Sequence, residues 1–373
     1  MSSQIYDEKI PQGWEVVKLG DVAKITMGQS PDGATYSNSP SKYILIQGNA
    51  DIQNGFVKPR IWTTQITKIA YVGNIIMSVR APAGAIAKTE YDAVIGRGVA
   101  AIEGNDFIYH ILIKMDKDGY WDEFSCGSTF DSLKSYDIFN AKILMPKEKV
   151  EQERIAQVLG DMDDLISAKC ELLDKKRAIK QGAAQQLLTP KPHWHTTTIG
   201  EICEISAGGD LNRLTFSPIK TDKFLNPIYS NAVSDNGLYG YSSDFDYEGN
   251  FITVTARGYI GYAAARNGKF CSIGRLLNLK PKFNISCFYV AEYINHFIDF
   301  VIESTGVPQL TAPQISKYKI SLPKDKTEQE KIAQILSDMD DEISALQDEI
   351  EKLKMIKQGA MDELLSGKIR LKG

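Results

Sequence analysis

The chain has 373 residues, a formal net charge of −4 and a hydrophobic content of 43%, which is ordinary for a globular protein of two or three domains. No apolar run approaches the ~18 residues of a membrane span, and the N-terminus lacks the apolar stretch of a signal peptide. We therefore expect a cytoplasmic protein with no membrane partner.

Charge is also close to neutral within each part of the chain. Residues 1–150 carry a net charge of −1 and residues 191–327 carry +2. A protein that grips nucleic acid alone is expected to have a basic domain. Either this chain does not bind nucleic acid, or a partner supplies much of the neutralisation of the phosphates.

The distribution of cysteine and histidine argues against disulfides and metal sites. The five cysteines, at positions 126, 170, 203, 271 and 287, are scattered and never in C-x-x-C spacing. His193 and His195 flank Trp194, but no carboxylate or thiol follows at the spacing of a metal ligand. The sequence therefore predicts no metal.

Each half of the chain opens with a similar short motif. Gly13-Trp14 with residues 18–22, KLGDV, is echoed by His193-Trp194 with residues 199–202, IGEI. The motif predicts a short strand or turn that enters a domain, with the tryptophan as a packing anchor.

A run rich in β-branched residues lies in the middle of each half. Residues 73–80, GNIIMSVR, correspond to residues 249–257, GNFITVTAR, and both runs predict strands. An arginine stands just past each strand end, and a second arginine recurs in the pair Ile-Gly-Arg at 95–97 and 273–275. Loops at strand ends carry function on a rigid scaffold. The candidate residues of these loops are Arg80, Arg97, Arg257 and Arg275.

The most strongly repeated segment follows each half. Residues 151–188 and 328–365 are identical at 22 of 38 positions, with an offset of 177 residues, which indicates an internal duplication. The predicted fold class is α+β, with two mixed α/β domains joined by two long helices. The predicted order is a first domain (1–149), a helix (150–190), a second domain (191–326), a second helix (327–367) and a tail (368–373).

Apolar residues step by three and four along both repeated segments, which predicts coiled-coil helices. The first has Lys169 and Lys176 where the second has leucine, so we expect the two helices to pair with each other, with the lysine stems along apolar surface. Because a whole domain separates the helices, the pairing should be antiparallel. Thr327 and Glu330 predict a capping box at the start of the second helix. The predicted seam consists of Leu159, Met162, Ile166, Leu173, Leu336, Met339, Ile343, Leu346, Ile350 and Leu353.

Several helix residues off the seam are also identical in both copies. Packing alone does not require this identity, whereas docking of two identical partners would. These candidate docking residues are Gln157, Gln334, Lys180, Gln181, Lys357 and Gln358.

Catalytic motifs are weak. Residues 226–229, NPIY, are close to the N-P-P-Y/F loop of amino methyltransferases but lack its second proline, and no Gly-rich cofactor turn stands at a suitable distance, so a strand entry is favoured. The acidic run DMDD, at 161–164 and 338–341, is expected on a helix, where its carboxylates point around different faces. This favours a solvated surface or a partner-binding patch over a metal cluster.

Together these motifs resemble the specificity subunit of a type I restriction-modification system. The resemblance is carried by the paired G/H-W starts, the Arg80 and Arg257 turns, and the EQE-R/K-IAQ, DMDD-x-IS and IKQGA segments of both helices. It covers essentially the whole chain.

The resemblance implies a DNA reader without catalytic activity. Two pseudo-twofold-related target-recognition domains would each bind one half of a split, asymmetric DNA site, and an antiparallel coiled coil would hold the halves at a fixed separation. It implies two docked copies of a modification subunit, an S-adenosylmethionine-dependent adenine methyltransferase, and restriction subunits that use ATP and Mg²⁺ where these exist. The chain itself would bind no cofactor. Its near-neutral domains fit a reader that shares its DNA grip with partners.

Unequal half-sites need different readers, so the four recurrent arginines are expected to contact phosphates or to form internal ion pairs. Residues that differ between the domains are the candidates for base contacts, since Arg and Lys can bond guanine while Asn and Gln can bond adenine. These are Gln29, Ser30, Lys58, Arg60, Thr63 and Thr64 in the first domain, and Arg213, Asn231, Tyr239, Tyr241 and Arg266 in the second.

Two other classes of function remain open at this point. One is a scaffold of two ligand-binding domains on a coiled coil with no role on DNA, which the neutral domains favour. The other is a stand-alone enzyme, which the missing cofactor motifs oppose.

Overall fold

The computed structural model describes residues 10–53, 55–125, 132–301 and 308–371, so Cys126 and the last two residues of the predicted tail lie outside the described residues. By its contacts the chain divides into two compact units. Unit 1 comprises residues 1–170 and 349–373, and unit 2 comprises residues 171–348. Within the described ranges, no helix is long and apolar enough to cross a membrane.

Unit 1 is built on small mixed sheets. Its strands are β1 (Trp14–Lys18), β2 (Lys24–Met27), β3 (Tyr36–Ser37), β4 (Tyr43–Ile46), β5 (Ile52–Gln53), β6 (Phe56–Val57), β7 (Ile61–Thr63), β8 (Ile69–Ala70), β9 (Ile75–Ser78), β10 (Ile86–Lys88), β11 (Ala93–Ile95), β12 (Val99–Glu103) and β13 (Lys142–Pro146). One sheet has the order β2-β12-β9-β10-β6-β5, another β3-β7-β4-β11-β8, and β1 pairs with β13. The predicted strand in residues 73–80 is therefore confirmed as β9.

The helices of unit 1 cover one face of the larger sheet. They are α1 (Leu19–Val22), α2 (Asp106–Lys117), α3 (Asp122–Ser125), α4 (Ser135–Phe139) and the first part of α5 (Lys149–Leu188), and residues 349–364 of the second long helix also belong to this unit. The Asn105 side chain caps α2 by accepting from the Ile108 amide at 3.0 Å. Phe107 of α2 shares a core with Met77 and Ile102 of the sheet and with Trp14, which is 3% exposed and thus confirmed as an anchor.

Unit 2 repeats this scaffold. Its strands are β14 (His195–Thr198), β15 (Cys203–Ala207), β16 (Phe216–Ser217), β17 (Asn226–Tyr229), β18 (Leu238–Ser242), β19 (Tyr247–Glu248), β20 (Phe251–Val254), β21 (Ala263–Arg266), β22 (Lys269–Ser272), β23 (Leu277–Pro281) and β24 (Lys319–Leu322). The sheets have the orders β15-β23-β20-β21, β16-β18-β17-β22-β19 and β14-β24. Its helices are the last part of α5 (from residue 171), α6 (Ile199–Ile202), α7 (Cys287–Phe297), α8 (Ala312–Ile315) and the first part of α9 (Lys326–Leu364). Trp194 is buried here as Trp14 is in unit 1.

Both long helices begin one residue before the segment predicted from the sequence. The capping box predicted at Thr327 is wrong. Asp325 occupies the cap instead, because its Oδ1 accepts from the Thr327 amide at 2.9 Å and its carbonyl accepts from the Glu328 amide. Because the helix begins at Lys326, Asp325 is the residue just before it, whereas Thr327 lies two residues later, inside the first turn.

The helices pair antiparallel within each unit. In unit 1, Lys169 Nζ lies 2.8 Å from Glu349 Oε1, and Lys357 pairs with Asp163. In unit 2, Lys176 pairs with Glu342 at 2.5 Å and Lys180 with Asp340 at 2.6 Å. Residue numbers rise along α5 as they fall along α9, which confirms the predicted direction. All ten residues of the predicted seam are at least half-buried. The buried ones are Leu159, Leu173, Leu336, Leu346 and Ile350, and the half-buried ones are Met162, Ile166, Met339, Ile343 and Leu353.

Candidate nucleic-acid interface

In unit 1, the loops after β2, β4, β9 and β11 meet at one edge, which we call loop edge 1 (residues 28–30, 46–48, 79–81 and 96–98). The Gly96 amide donates to the Ile46 carbonyl at 2.7 Å, and the Val79 amide donates to the Gly98 carbonyl at 2.9 Å. The loops at residues 46–48 and 96–98 approach each other so closely that a Cβ on Gly98 would lie 2.0 Å from the Gln47 carbonyl oxygen. Loop edge 1 is therefore a fixed backbone platform.

Four predicted residues lie on this platform. Arg80, Arg97 and Gln29 are exposed, and Ser30 Oγ accepts from the Arg97 amide at 3.1 Å. The guanidinium groups are free to face a ligand, so an internal ion pair, the alternative left open for Arg80 and Arg97, is not found for either within the described residues. What remains for them is contact with phosphate, which stays a prediction.

Arg60 is held beside the same edge by a buried aspartate that the sequence reasoning missed. Asp51 is 3% exposed, accepts from the Gln47 and Gly48 amides at 2.7 and 3.2 Å, and pairs with Arg60 Nε at 3.2 Å. The Arg60 side chain is still 49% exposed. It is thus anchored at one nitrogen with the remaining guanidinium donors available.

The other candidates of unit 1 separate into exposed and buried residues. Thr64 is exposed, and Lys58 is exposed but lines a cleft beside α2. Thr63 is fully buried and its Oγ1 lies 2.8 Å from Thr35 Oγ1. Thr63 cannot reach a base edge from this position, so the structure removes it from the candidates for base contacts.

Unit 2 has an equivalent loop edge 2 (residues 208–210, 230–232, 256–258 and 273–275). Asn231 joins its loops, because its Oδ1 accepts from the Ala256 amide at 2.7 Å and its Nδ2 donates to the Gly274 carbonyl at 2.6 Å. Both ends of the Asn231 amide are therefore engaged inside the domain. Asn231 positions this edge, and the base contact predicted for it would require both bonds to break.

Two exposed arginines stand on loop edge 2. The Arg257 guanidinium donates twice to Gln309 Oε1, at 3.1 and 2.7 Å, which fixes its direction. Arg275 has a positive φ of 69°, a conformation that is unfavourable for a residue with a Cβ, and its side chain is exposed. Gln309 was not recognised from the sequence, because it lies 52 residues from its partner.

Arg266 is the clearest correction among the predicted base readers. It is 8% exposed, its Nε donates to Thr253 Oγ1 at 2.9 Å, and its guanidinium stacks over the Tyr229 ring at 3.7 Å. Burial lowers the pKa of this guanidinium. Arg266 supports the core of unit 2 and is not available to DNA. Arg213 and Tyr239 are exposed and Tyr241 is half-buried, so their role remains a prediction.

The predicted docking residues fall into two groups, lysines that form ion pairs between the helices and glutamines that are mostly exposed. The lysines Lys180 and Lys357 have side chains that are only 17% and 12% exposed, and they form the equivalent ion pairs with Asp340 and Asp163. Their identity in the two copies is explained by pairing between the helices, so it no longer argues for docking. Gln157, Gln334 and Gln181 are exposed, and Gln358 accepts from Lys117 at 2.8 Å.

A pair of glutamines explains part of the repeated EQE segment. Gln152 donates to the Pro146 carbonyl at 2.7 Å and accepts from Asn105, the cap of α2. Its counterpart Gln329 donates to the Pro323 carbonyl at 2.8 Å and accepts from the Ser286 amide at the start of α7. Each buried glutamine thus ties a long helix to the domain that precedes it.

The carboxylates of the acidic runs have different partners. No group of three or more possible ligands is found in the ranges that the structure describes. Asp163 and Asp340 face lysines of the paired helix. Residues 226–229 form β17, in line with the predicted strand entry.

A repeated mixed-sheet domain with an arginine-bearing loop edge, followed each time by a long paired helix, defines a class of tandem recognition proteins. A model of the type I restriction modification DNA specificity domain matches the chain twice, over residues 11–175 and 192–355. The chain belongs to the family of type I restriction-modification specificity subunits, which are DNA-recognition components and not catalysts.

Individual relatives agree with this assignment. The putative MjaX specificity subunit of Methanocaldococcus jannaschii is 31% identical over 191 residues, which are 49% of this chain and 44% of the relative. The putative specificity subunit S.MpnORF201P of Mycoplasma pneumoniae is 29% identical over 50% of this chain and 77% of its own length. The chain thus spans less than half the length of the first of these relatives.

Solved structures show the same fold. The S subunit of a type I system from M. genitalium superposes with a TM-score of 0.70 at 16% identity, over 96% of this chain and 97% of that one. A chain from a study of complex assembly and conformational transition of the type I system gives a TM-score of 0.57 at 17% identity, over 97% of this chain and all of that one.

Proposed function

We propose that each unit binds one half of a split, asymmetric DNA site through its loop edge, that the paired helices set the gap between the halves, and that the chain docks two modification subunits. The observation that carries this proposal is the pair of equivalent loop edges. Each presents two exposed arginines on a backbone held by hydrogen bonds between loops, whereas the side chains around them differ.

The chemistry and recurrence of these residues suggest which of them contact phosphates and which contact bases. Recurrent arginines at the same loop position suit the phosphates, which every DNA sequence offers. Arg60, Gln29 and Thr64 in unit 1, and Arg213 and Tyr239 in unit 2, are exposed and have no counterpart in the other unit. These residues suit base contacts, which must differ between unequal half-sites.

The near-neutral charge of the domains fits a reader that binds DNA together with partners. Salt-dependent affinity for DNA grows with the number of phosphates that a protein neutralises. With few basic residues on each loop edge, the chain supplies selectivity while the modification subunits supply additional contacts. In this proposal S-adenosylmethionine is used by the modification subunits, and ATP and Mg²⁺ by any restriction subunits, while the chain binds none of them.

The test is selection from a library of random DNA duplexes, performed with the chain alone and with the chain assembled with the type I modification subunit of its source genome. We expect the assembly to enrich a split sequence with two short half-sites, and the binding to weaken as salt rises. Assemblies that enrich no sequence would favour the scaffold without a role on DNA.

A further inference from the structure

Each unit contains a cleft between its domain and the repeated helix. Cleft 1, in unit 1, has a volume of about 790 Å³ and lies between α2 and the DMDD segment of α5. Cleft 2, in unit 2, has a volume of about 880 Å³ and lies between α7 and the DMDD segment of α9. The helix wall consists of equivalent residues in both. Its identical exposed or half-buried members include Asp164, Ile166 and Ser167 in cleft 1 and Asp341, Ile343 and Ser344 in cleft 2.

Pairing between the long helices does not account for this identity. Asp163 and Asp340 are neutralised by the lysines of the opposite helix. The next residues, Asp164 and Asp341, are exposed, and no ion pair joins either of them to another residue in the described part of the chain. Each cleft therefore offers an open carboxylate beside an apolar isoleucine and a hydroxyl.

The opposite walls differ, yet each contains a buried polar atom without a hydrogen bond. In cleft 1, His110 is 2% exposed and its Nδ1 has no partner. In cleft 2, Glu292 is 7% exposed and its Oε2 accepts no hydrogen bond, with Lys180 Nζ at 3.5 Å and His296 Nδ1 at 3.7 Å. Buried polar atoms are rarely left unpaired, because each costs the free energy of desolvation. His110 is among the residues that line cleft 1, and Glu292 is among those that line cleft 2.

We propose that clefts 1 and 2 are equivalent sockets for the same element of two modification subunits, a segment that presents a lysine or arginine next to an apolar side chain. The basic group pairs with Asp164 or Asp341, and the apolar side chain covers Ile166 or Ile343. This inference rests on the proposed docking of two modification subunits and names the surface and the chemistry of that docking.

Two features favour a protein segment over DNA. At the helix wall, DNA phosphates would meet the like charge of the open carboxylates, and two of the three lysines that line cleft 1, Lys88 and Lys354, are already paired with Asp106 and Glu351. The helix walls share the aspartate, isoleucine and serine named above, although Gly160 and Cys170 correspond to Ser337 and Gln347, whereas the loop edges that suit unequal half-sites differ more. Two copies of one partner need the same contact residues twice, and the helix walls of the two clefts provide such a set.

The experiment counts modification subunits bound to the full-length chain by native mass spectrometry after co-expression. The test variants are Asp164→Lys, Asp341→Lys and the double variant. Glu171→Lys and Asp348→Lys are the matched controls, since these carboxylates are exposed, occupy equivalent positions on the same helices and lie outside the residues that line either cleft.

We expect two subunits on the wild-type chain and on both controls, one on each single variant and none on the double variant. Like charges brought together at an interface should weaken binding at the altered cleft by roughly tenfold or more. A melting transition like that of the wild type shows that a variant is folded. If a lysine variant does not fold, Ser167→Arg and Ser344→Arg test the same clefts by filling them, with the same expected counts.

The outcomes separate the two proposals. A wild-type chain that binds no modification subunit overturns the proposed docking and the sockets with it. A wild-type chain and a folded double variant that both bind two subunits leave the docking intact and overturn the sockets. A double variant that keeps both subunits but loses DNA binding would also overturn the sockets, because the clefts would then serve the duplex.

Discussion

Units 1 and 2 share one ion pair between the long helices and one buried glutamine that joins each helix to its domain, but they differ in the residues that surround these contacts. The ion pairs Asp163–Lys357 and Lys180–Asp340 are equivalent, as are the buried glutamines Gln152 and Gln329. Beside the first pair stands a buried neutral imidazole, His110, and beside the second a buried carboxyl, Glu292. The duplication thus preserves connections and leaves the adjoining domain surfaces to diverge.

The largest effect is expected where the two units are most alike. Leu159 and Leu336 are equivalent and fully buried, so Leu159→Ala and Leu336→Ala should each lower the free energy of unfolding by about 2–5 kcal/mol. Urea denaturation measures this. Ile335→Ala, at a position that is 43% exposed, is the control and should cost under about 1 kcal/mol. A much larger loss at one leucine than at the other would show that the helix ends are not equivalent.

The second prediction concerns the pH dependence of unit 1 alone. Burial lowers the pKa of His110 from 6.5 to about 4. The unfolded chain therefore binds a proton that the folded chain rejects, and the stability present above pH 6.5 is lost as the pH falls towards 4. This loss should be on the order of 3 kcal/mol. Urea midpoints at pH 7 and pH 4.5 should differ less for His110→Gln than for the wild type.

Glu292 changes stability with pH in the opposite direction to His110. Burial raises the pKa of this carboxyl above its usual value, against the opposing effect of Lys180. The folded chain then holds a proton more tightly than the unfolded chain, so this residue reduces stability as the pH rises above 4.5. Glu292→Gln should remove that reduction. An equal response of both variants to pH would contradict the contrast between the two clefts.

The third prediction separates the loop edges by function. Arg60→Ala should change selectivity at one half-site by about 1–3 kcal/mol and leave the other half unchanged. Arg97→Ala and Arg275→Ala should each weaken binding to all DNA sequences. Each should also reduce the slope of log affinity against log salt concentration by about one, because each removes one phosphate contact. Selection from random DNA duplexes at two salt concentrations measures both. Equal losses at both half-sites for Arg60→Ala would remove it from the base readers.

The smallest effect compares the two equivalent ion pairs. Asp163→Asn leaves Lys357 without its carboxylate and should cost about 1–2 kcal/mol, less than a fully buried pair because Asp163 is 41% exposed. Asp340→Asn should cost less, since Lys180 keeps Glu292 at 3.5 Å. The difference between the two urea midpoints tests this, and it should vanish when Glu292→Gln is added to the second variant.

The sequence was sufficient for features that repeat along it. The duplication at an offset of 177 residues and the three-and-four spacing of apolar residues predicted two long helices, their pairing and their direction. The cap of the second helix was misassigned, because Asp325 and Thr327 are both good caps and the local sequence does not decide between them.

Residues whose roles depend on distant partners were misread. Lys180 and Lys357 looked like docking residues because their partners Asp340 and Asp163 lie 160 and 194 residues away. Arg266 looked like a base reader because its stacking on Tyr229 is a contact between strands that the linear sequence does not display. Burial of a charged side chain depends on tertiary packing, which periodicity does not reveal.

The central claim is that two different loop edges on one repeated scaffold read two halves of one DNA site. The most direct measurement is a map of methylated adenines in the genome of cells that express this chain with its modification subunit. The account predicts a split motif of two unequal half-sites around a fixed gap, with one modified adenine in each half. A continuous motif, or no modification although the assembly forms, would contradict it.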